Sequence, residues 1–183
     1  MSQTALTIAD LDLMPDDGNR YELIEGELLV SRSAGLTHQG VSGELFLSLG
    51  IYLKVNPIGK VFAAVGVVFD DLNGVIPDLV YFSNESRNKI VSGERITGAP
   101  DLVVEILSPG SENERRDRLA KKELYGKFGV KEYWILDPAL RTIEVFRHDG
   151  KTLTPVGVLG AESDLTTPLL PGYSCRIGDL FPT

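Results

Sequence analysis

Two spacings of apolar residues organise the chain. Val41, Leu45, Leu49 and Leu53 recur every fourth position, the repeat of one buried helix face, and predict a helix from His38 to about Val55 with Thr37 as its cap. Pro57 and Gly59 close it. Elsewhere the runs are short and β-like. Arg20–Ile24 and Leu28–Arg32 flank Glu25-Gly26-Glu27 and read as a hairpin. Lys60–Asp70 and Val75–Phe82 read as strands joined by the turn Asp71-Leu72-Asn73-Gly74. Asp101–Leu107 is apolar on both faces, as a central covered strand should be. Pro109-Gly110-Ser111 then breaks the chain before a helix from about Glu112 to Phe128, ended by Gly129. Glu132–Leu136 and Thr142–Arg147 predict two further strands around the Asp137-Pro138 turn.

The ends are less regular. Thr7 with Asp10 forms the signature of a capping box that opens a short helix, Ile8 to Leu13. Lys151–Thr183 is punctuated by Pro and Gly and is expected to pack as short strands and loops over the sheet. This order of elements implies an α/β or α+β fold, a mixed central sheet flanked by helices. At 183 residues and 43% hydrophobic composition, one domain spanning 1–183 is expected.

Composition narrows the function. Cys175 is the only cysteine, which excludes an intramolecular disulfide and a thiolate zinc cluster and points to a reducing cytoplasm. The longest apolar run, Phe62–Phe69, is far too short to span a bilayer, and Met1–Leu13 lacks the pattern of a signal peptide. No membrane role is expected. A formal net charge of −8 argues against holding nucleic acid by bulk electrostatics. Against that, Arg115, Arg116, Arg118, Lys121 and Lys122 fall within a short stretch and make one candidate basic edge.

The candidate chemistry lies where polar residues interrupt apolar patterns. Glu105 shares one strand face with Asp101, Val103 and Leu107, and a carboxylate taken out of water needs a cation or donors. Asp78 repeats the pattern one strand earlier, alternating with Ile76, Val80 and Phe82. Each has a plainer reading: Glu105 as the partner of a structural Arg or as a residue lining a solvated sheet face, Asp78 as a turn acceptor after Pro77. Together they fit a hard-cation site, since Mg²⁺ takes one or two carboxylates and keeps several waters. If so, Glu105→Gln relieves like-charge repulsion and is expected to raise stability. On a helical wheel at about 100° per residue, Asp117, Lys121, Leu124 and Phe128 share the arc that faces the sheet, whereas Arg118 and Lys122 turn aside. A core-facing Lys implies anions beneath it; the alternative is an Asp117–Lys121 pair on a solvated face. Asp78, Glu105 and Lys121 suit phosphodiester hydrolysis, in which metal and ammonium meet the charge that builds on phosphoryl oxygens.

Pro77-Asp78 followed by Glu105 resembles the PD-(D/E)XK nuclease motif. Pro100-Asp-Leu-Val-Val-Glu-Ile-Leu-Ser-Pro109, Asp117, Lys121, Tyr125, Gly129-Val130, Glu132-Tyr-Trp134 and Asp137-Pro138 are similar to the Uma-type restriction endonucleases, a bacterial branch of that superfamily. Tyr21–Gly26 and His38-Gln39 extend the likeness. Leu107 stands where the simplest motif has its lysine, and Lys121 on the following helix is the residue that matches. The resemblance implies a restriction-endonuclease-like core, a Mg²⁺- or Mn²⁺-dependent cut in DNA, and a homodimer. It adds supporting positions. Glu22 either reaches metal through water or is an exposed hairpin residue. His38 contacts a phosphate at a helix start or is structural. Asp101 supports Glu105 or caps its strand, and Asp117 and Tyr125 match the family pattern. Arg115, Arg116, Arg118 and Lys122 are the expected DNA contacts. Two other functions fit the same residues: a catalytically idle nuclease fold that binds nucleic acid or protein, and a hydrolase of a small phosphodiester.

Overall fold

The computed structural model describes residues 5–108 and 116–181, apart from the side chain of Asp117. Helix α1 (Ile8–Leu11) opens on the expected capping box, Thr7 and Asp10 each bonding the other's backbone amide. Strands β1 (Arg20–Ile24) and β2 (Glu27–Ser31) pair antiparallel. Glu25 and Gly26, both at positive φ, form the tight turn that suits a two-residue hairpin loop. Helix α2 (Leu36–Val55) buries Val41, Leu45, Leu49 and Leu53 as the spacing requires. It begins two residues earlier than the Thr37 cap predicts, on Gly35, with no side-chain cap.

The two long strands expected next are each broken, and the break shapes the molecule. The first divides into β3 (Gly59–Ala63) and β4 (Val67–Asp70), the second into β5 (Asn73–Val75) and β6 (Leu79–Ser83). β3 pairs with β6, and β4 with β5, in different sheets. One hairpin thus bends at Ala64–Gly66 and Ile76–Asp78 and serves both sheets. The corner is tied by the Ala64 amide donating to the Asp78 carbonyl at 3.0 Å, with Ala64 at φ 49°. Neither the positive φ nor the change of sheet shows in a run of alternating apolar residues.

Helix α3 (Asn84–Ile90), β7 (Val91–Ser92) and β8 (Arg95–Thr97) follow where no element was expected. Then come β9 (Leu102–Ile106), a π-helical turn (Arg116–Lys121), α4 (Lys122–Phe128), β10 (Glu132–Asp137) and β11 (Thr142–His148). The expected start of the penultimate helix, from Glu112, lies outside the described residues. The tail supplies β12 (Leu153–Leu159), the small pair β13 (Asp164–Leu165) and β14 (Cys175–Arg176), and a 3₁₀ turn, Ile177–Leu180.

The α+β class holds, with two mixed sheets where a single central one was expected. Their orders are β2-β1-β5-β4-β8-β7 and β12-β11-β10-β9-β6-β3. β9 and β10 are parallel, with Glu105 beside Ile135. One core packs α2 and the tail against Leu79, Leu102, Val104 and Trp134. The other packs α4 and the first sheet against Val80, Val103, Tyr133 and Ile135. β9 is therefore buried on both faces, as expected. Among the described residues no helix is long and apolar enough to cross a membrane.

Candidate active site

Alternation along β1 sends Arg20 and Glu22 to the same side, and both line a cleft of about 370 Å³ between the sheets. His38 enters from the first turn of α2, Asp78 from the hairpin corner, Glu105 from β9, and Arg116 and Lys121 from the π-helical turn. Asp78 and Glu105, the two carboxylates singled out as catalytic and metal-binding, thus face one cavity. Asp78 does not stand mid-strand as its pattern implied; it occupies the gap before β6.

Each carboxylate is heavily solvated by protein groups. Asp78 Oδ1 accepts from Arg20 Nη1 at 3.2 Å, and Oδ2 lies 3.0 Å from His38 Nε2 and takes the Ile106 amide at 2.8 Å. Burial works to raise the Asp78 pKa, but the hydrogen bond and charge of His38, the Ile106 amide and the charge of Lys121 outweigh it and hold the group below the ordinary carboxylate value. Glu105 Oε1 accepts from Lys121 Nζ at 2.8 Å and from Tyr125 Oη at 2.6 Å. Burial and the Glu105 charge push the Tyr125 hydroxyl well above its usual pKa, so it stays a donor.

Lys121 is 2% exposed. Its ammonium lies between Glu105 and Glu22, the latter at 3.1 Å, so it does not stand on a solvated face. Glu22 is likewise not an exposed hairpin residue: it is buried and also accepts the Ile76 amide at 2.7 Å. The wheel separates Lys121 from Lys122 correctly because normal helical rotation resumes at that point. Upstream, Arg116–Lys121 is a π-helical turn, through which the 100° step does not carry, yet Arg118 still turns aside as expected.

The remaining candidates scatter. Asp101 lies outside the cleft, capping the start of β9: it accepts from the Ser83 amide at 2.6 Å and Ser86 Oγ at 2.9 Å and pairs with Lys131 at 2.7 Å. Arg118 pairs with Asp137 at 3.3 Å and closely with Glu144. Lys122 sits over the Phe146 ring at 5.2 Å. Neither of these two lines the cleft, so the basic edge divides. Of the described members only Arg116 and Lys121 reach the cavity; Arg115 and the Asp117 side chain lie outside the described residues. Arg20 and Arg32, which the sequence reading passed over, also line it. Alternation through Arg20, Glu22 and Ile24 was a usable signal for Arg20.

Among the described residues, no three His, Cys, Asp or Glu side chains form a ready-made metal cage. The donor set still fits a hard cation of the Mg²⁺ kind, which needs one or two carboxylates and supplies its own water. Asp78 and Glu105 provide these on one cavity.

An α+β fold whose sheets meet at a cleft of buried carboxylates and a buried lysine defines the class. A family model described as "Uma2: Putative restriction endonuclease" matches residues 8–178, and the chain belongs to that family. Among solved structures, "a putative nuclease belonging to DUF820" from Anabaena variabilis superposes with a TM-score of 0.75 at 23% identity, covering 96% of this chain and 97% of that one. This likeness is one of fold. The type IIG restriction endonuclease BpuSI aligns over 79% of this chain and 15% of that one, at 14% identity and a TM-score of 0.40. Compared with curated proteins, no relative matches.

Proposed function

We propose that the chain is a single nuclease domain that hydrolyses DNA phosphodiester bonds with Mg²⁺ or Mn²⁺, using Asp78, Glu105 and Lys121. One observation carries this reading: a lysine withdrawn from water lies between Glu105 and Glu22 in a cleft shared with Asp78. Such a charge is expensive to bury, and its position suits a scissile phosphate better than a structural need. Asp78 and Glu105 are the residues that would hold the metal. When bound, it supplies a polarised phosphate and a water of lowered pKa.

The chain's own groups account for the rest. Asp78 is held ionised by its donors and presents full negative charge to a cation. Tyr125, keeping its proton, fixes the orientation of Glu105. Lys121 donates toward phosphoryl oxygens as negative charge builds there. Arg32 and Arg116 on the cleft wall offset flanking phosphates. We take the enzyme to work in the cytoplasm, as a homodimer. The engagement of Arg118 and Lys122 within the fold favours a small phosphodiester as the second substrate class.

The test is nicking and linearisation of supercoiled plasmid, with bis(4-nitrophenyl) phosphate assayed in parallel. Cleavage is expected with Mg²⁺ or Mn²⁺ and is expected to vanish in excess chelator. Lys121→Ala should remove most turnover, and Lys122→Ala should leave it nearly intact. Full activity in chelator, or equal effects from the two lysines, overturns the mechanism. Cleavage of the small ester alone transfers the site to small substrates, and cleavage of neither leaves a binding module.

A further inference from the structure

Helix α2 is apolar on the side it turns to solvent. Starting from Leu47 at about 100° per residue, Gly43, Glu44, Gly50, Ile51, Lys54 and Val55 fall within about 80° of it, while the buried Val41, Leu45, Leu49 and Leu53 lie about 120° or more away. On this outer face Leu47 and Ile51 are each 56% exposed and Val55 78%. A surface helix is ordinarily polar there. Its only charged residues are Glu44 and Lys54, and neither makes an ion pair among the described residues.

Three glycines, Gly40, Gly43 and Gly50, share this face. A Cβ at Gly43 or Gly50 would meet nothing within 4 Å in its own chain, so no intramolecular packing at these two positions requires glycine, which weakens a helix relative to alanine. The charges have a matching symmetry. Glu44 and Lys54 are equidistant in sequence from Leu49, as are Leu47 and Ile51, and Gly43 and Val55. An antiparallel helix pair about a two-fold axis at that level sets Glu44 against Lys54 twice, and Leu47 against Ile51 twice. Self-complementarity of this kind is what an isologous contact requires, and the glycines permit close approach of the helices.

We propose that this outer face of α2 is the homodimer interface, occupied by α2 of a second copy running antiparallel. It rests on the homodimeric part of the function proposed above and is independent of the chemistry. The axial rise puts the two His38 residues, and with them the two clefts, at opposite ends of the pair, roughly 33 Å apart along the helices.

Sedimentation equilibrium of the full chain at micromolar concentrations tests it. The wild type should be a dimer. Leu47→Glu should be a monomer with an unchanged circular dichroism spectrum, because the side chain is exposed. Glu44→Lys and Lys54→Glu should each weaken association about tenfold, through repulsion at two symmetric contacts, and the double charge reversal should restore it. A wild-type monomer at every concentration overturns the homodimer and hands this face to another partner. A dimer indifferent to Leu47→Glu, or single reversals that the double variant fails to rescue, overturns the interface alone.

Discussion

At the residue scale, Glu105 shows how a partner reverses a sign. A buried carboxylate crowded by others should be relieved by Glu105→Gln, and the sequence reading expected that gain. The structure instead gives Glu105 the Lys121 ammonium and the Tyr125 hydroxyl. Gln keeps an acceptor for one donor but removes the charge, taking one of its buried anionic neighbours from Lys121. Thermal melts of Glu105→Gln in chelator should therefore show a loss of about 1–3 kcal/mol; a gain would mean that the pairing does not persist in solution.

Asp101 offers a second residue-scale test, away from the cleft. Burial works to raise its pKa, and Lys131, the Ser83 amide and Ser86 prevail and lower it. With the folded value below the unfolded one, the ionised group contributes stability above the unfolded value near 3.8, and this is lost as pH falls through the folded value. Asp101→Asn should then be less stable than wild type at pH 7, with the gap closing as the pH is taken below 3.8. Denaturant midpoints at both pH values check this, and a gap that stays constant would deny Asp101 its ionised role.

At the scale of elements, the decisive features are irregular ones. Ala64, exposed and at φ 49°, turns the hairpin from one sheet into the other. A β-branched side chain is strained there, so Ala64→Val should cost about 1–2 kcal/mol in a urea titration, while Ala64→Gly should cost little or nothing. Equal costs would show that side-chain contacts, not backbone conformation, govern the corner. The same irregularity explains what the sequence could reveal. The four-residue repeat of α2 and the doubly apolar β9 were legible because burial alone imposes those patterns. The split of each long strand was hidden because alternation continues through Gly66 and Pro77 when a chain changes sheets. Asn84–Ile90 was passed over because one buried residue, Ile90, leaves no periodicity to detect. Lys121 was legible from its helix face, but burial of Glu22 depends on β1 meeting the hairpin corner and α4, contacts far apart in sequence.

At the scale of the molecule, a net charge of −8 coexists with a cleft lined by Arg20, Arg32, Arg116 and Lys121. Arg20 and Lys121 already hold carboxylates, which limits the positive charge the cleft offers to flanking phosphates. With two or three phosphates neutralised, the logarithm of DNA affinity should fall with the logarithm of salt at a slope of about −2 to −3. Fluorescence anisotropy with short duplexes at graded salt measures it. A slope steeper than about −5 would require a basic surface beyond this cleft.

The hairpin shared between the sheets also bears on the order in which a growing chain acquires its parts. The strands of the first sheet are complete once Thr97 has left the ribosome, whereas Glu105 is fixed only when β10 lies beside β9. Glu22 and Asp78 therefore emerge well ahead of Glu105 and Lys121, which complete the cleft. A nascent chain holds half of its charged cleft without the other half, and under the proposed reading it cannot cut the nucleic acid around it while it is still being made.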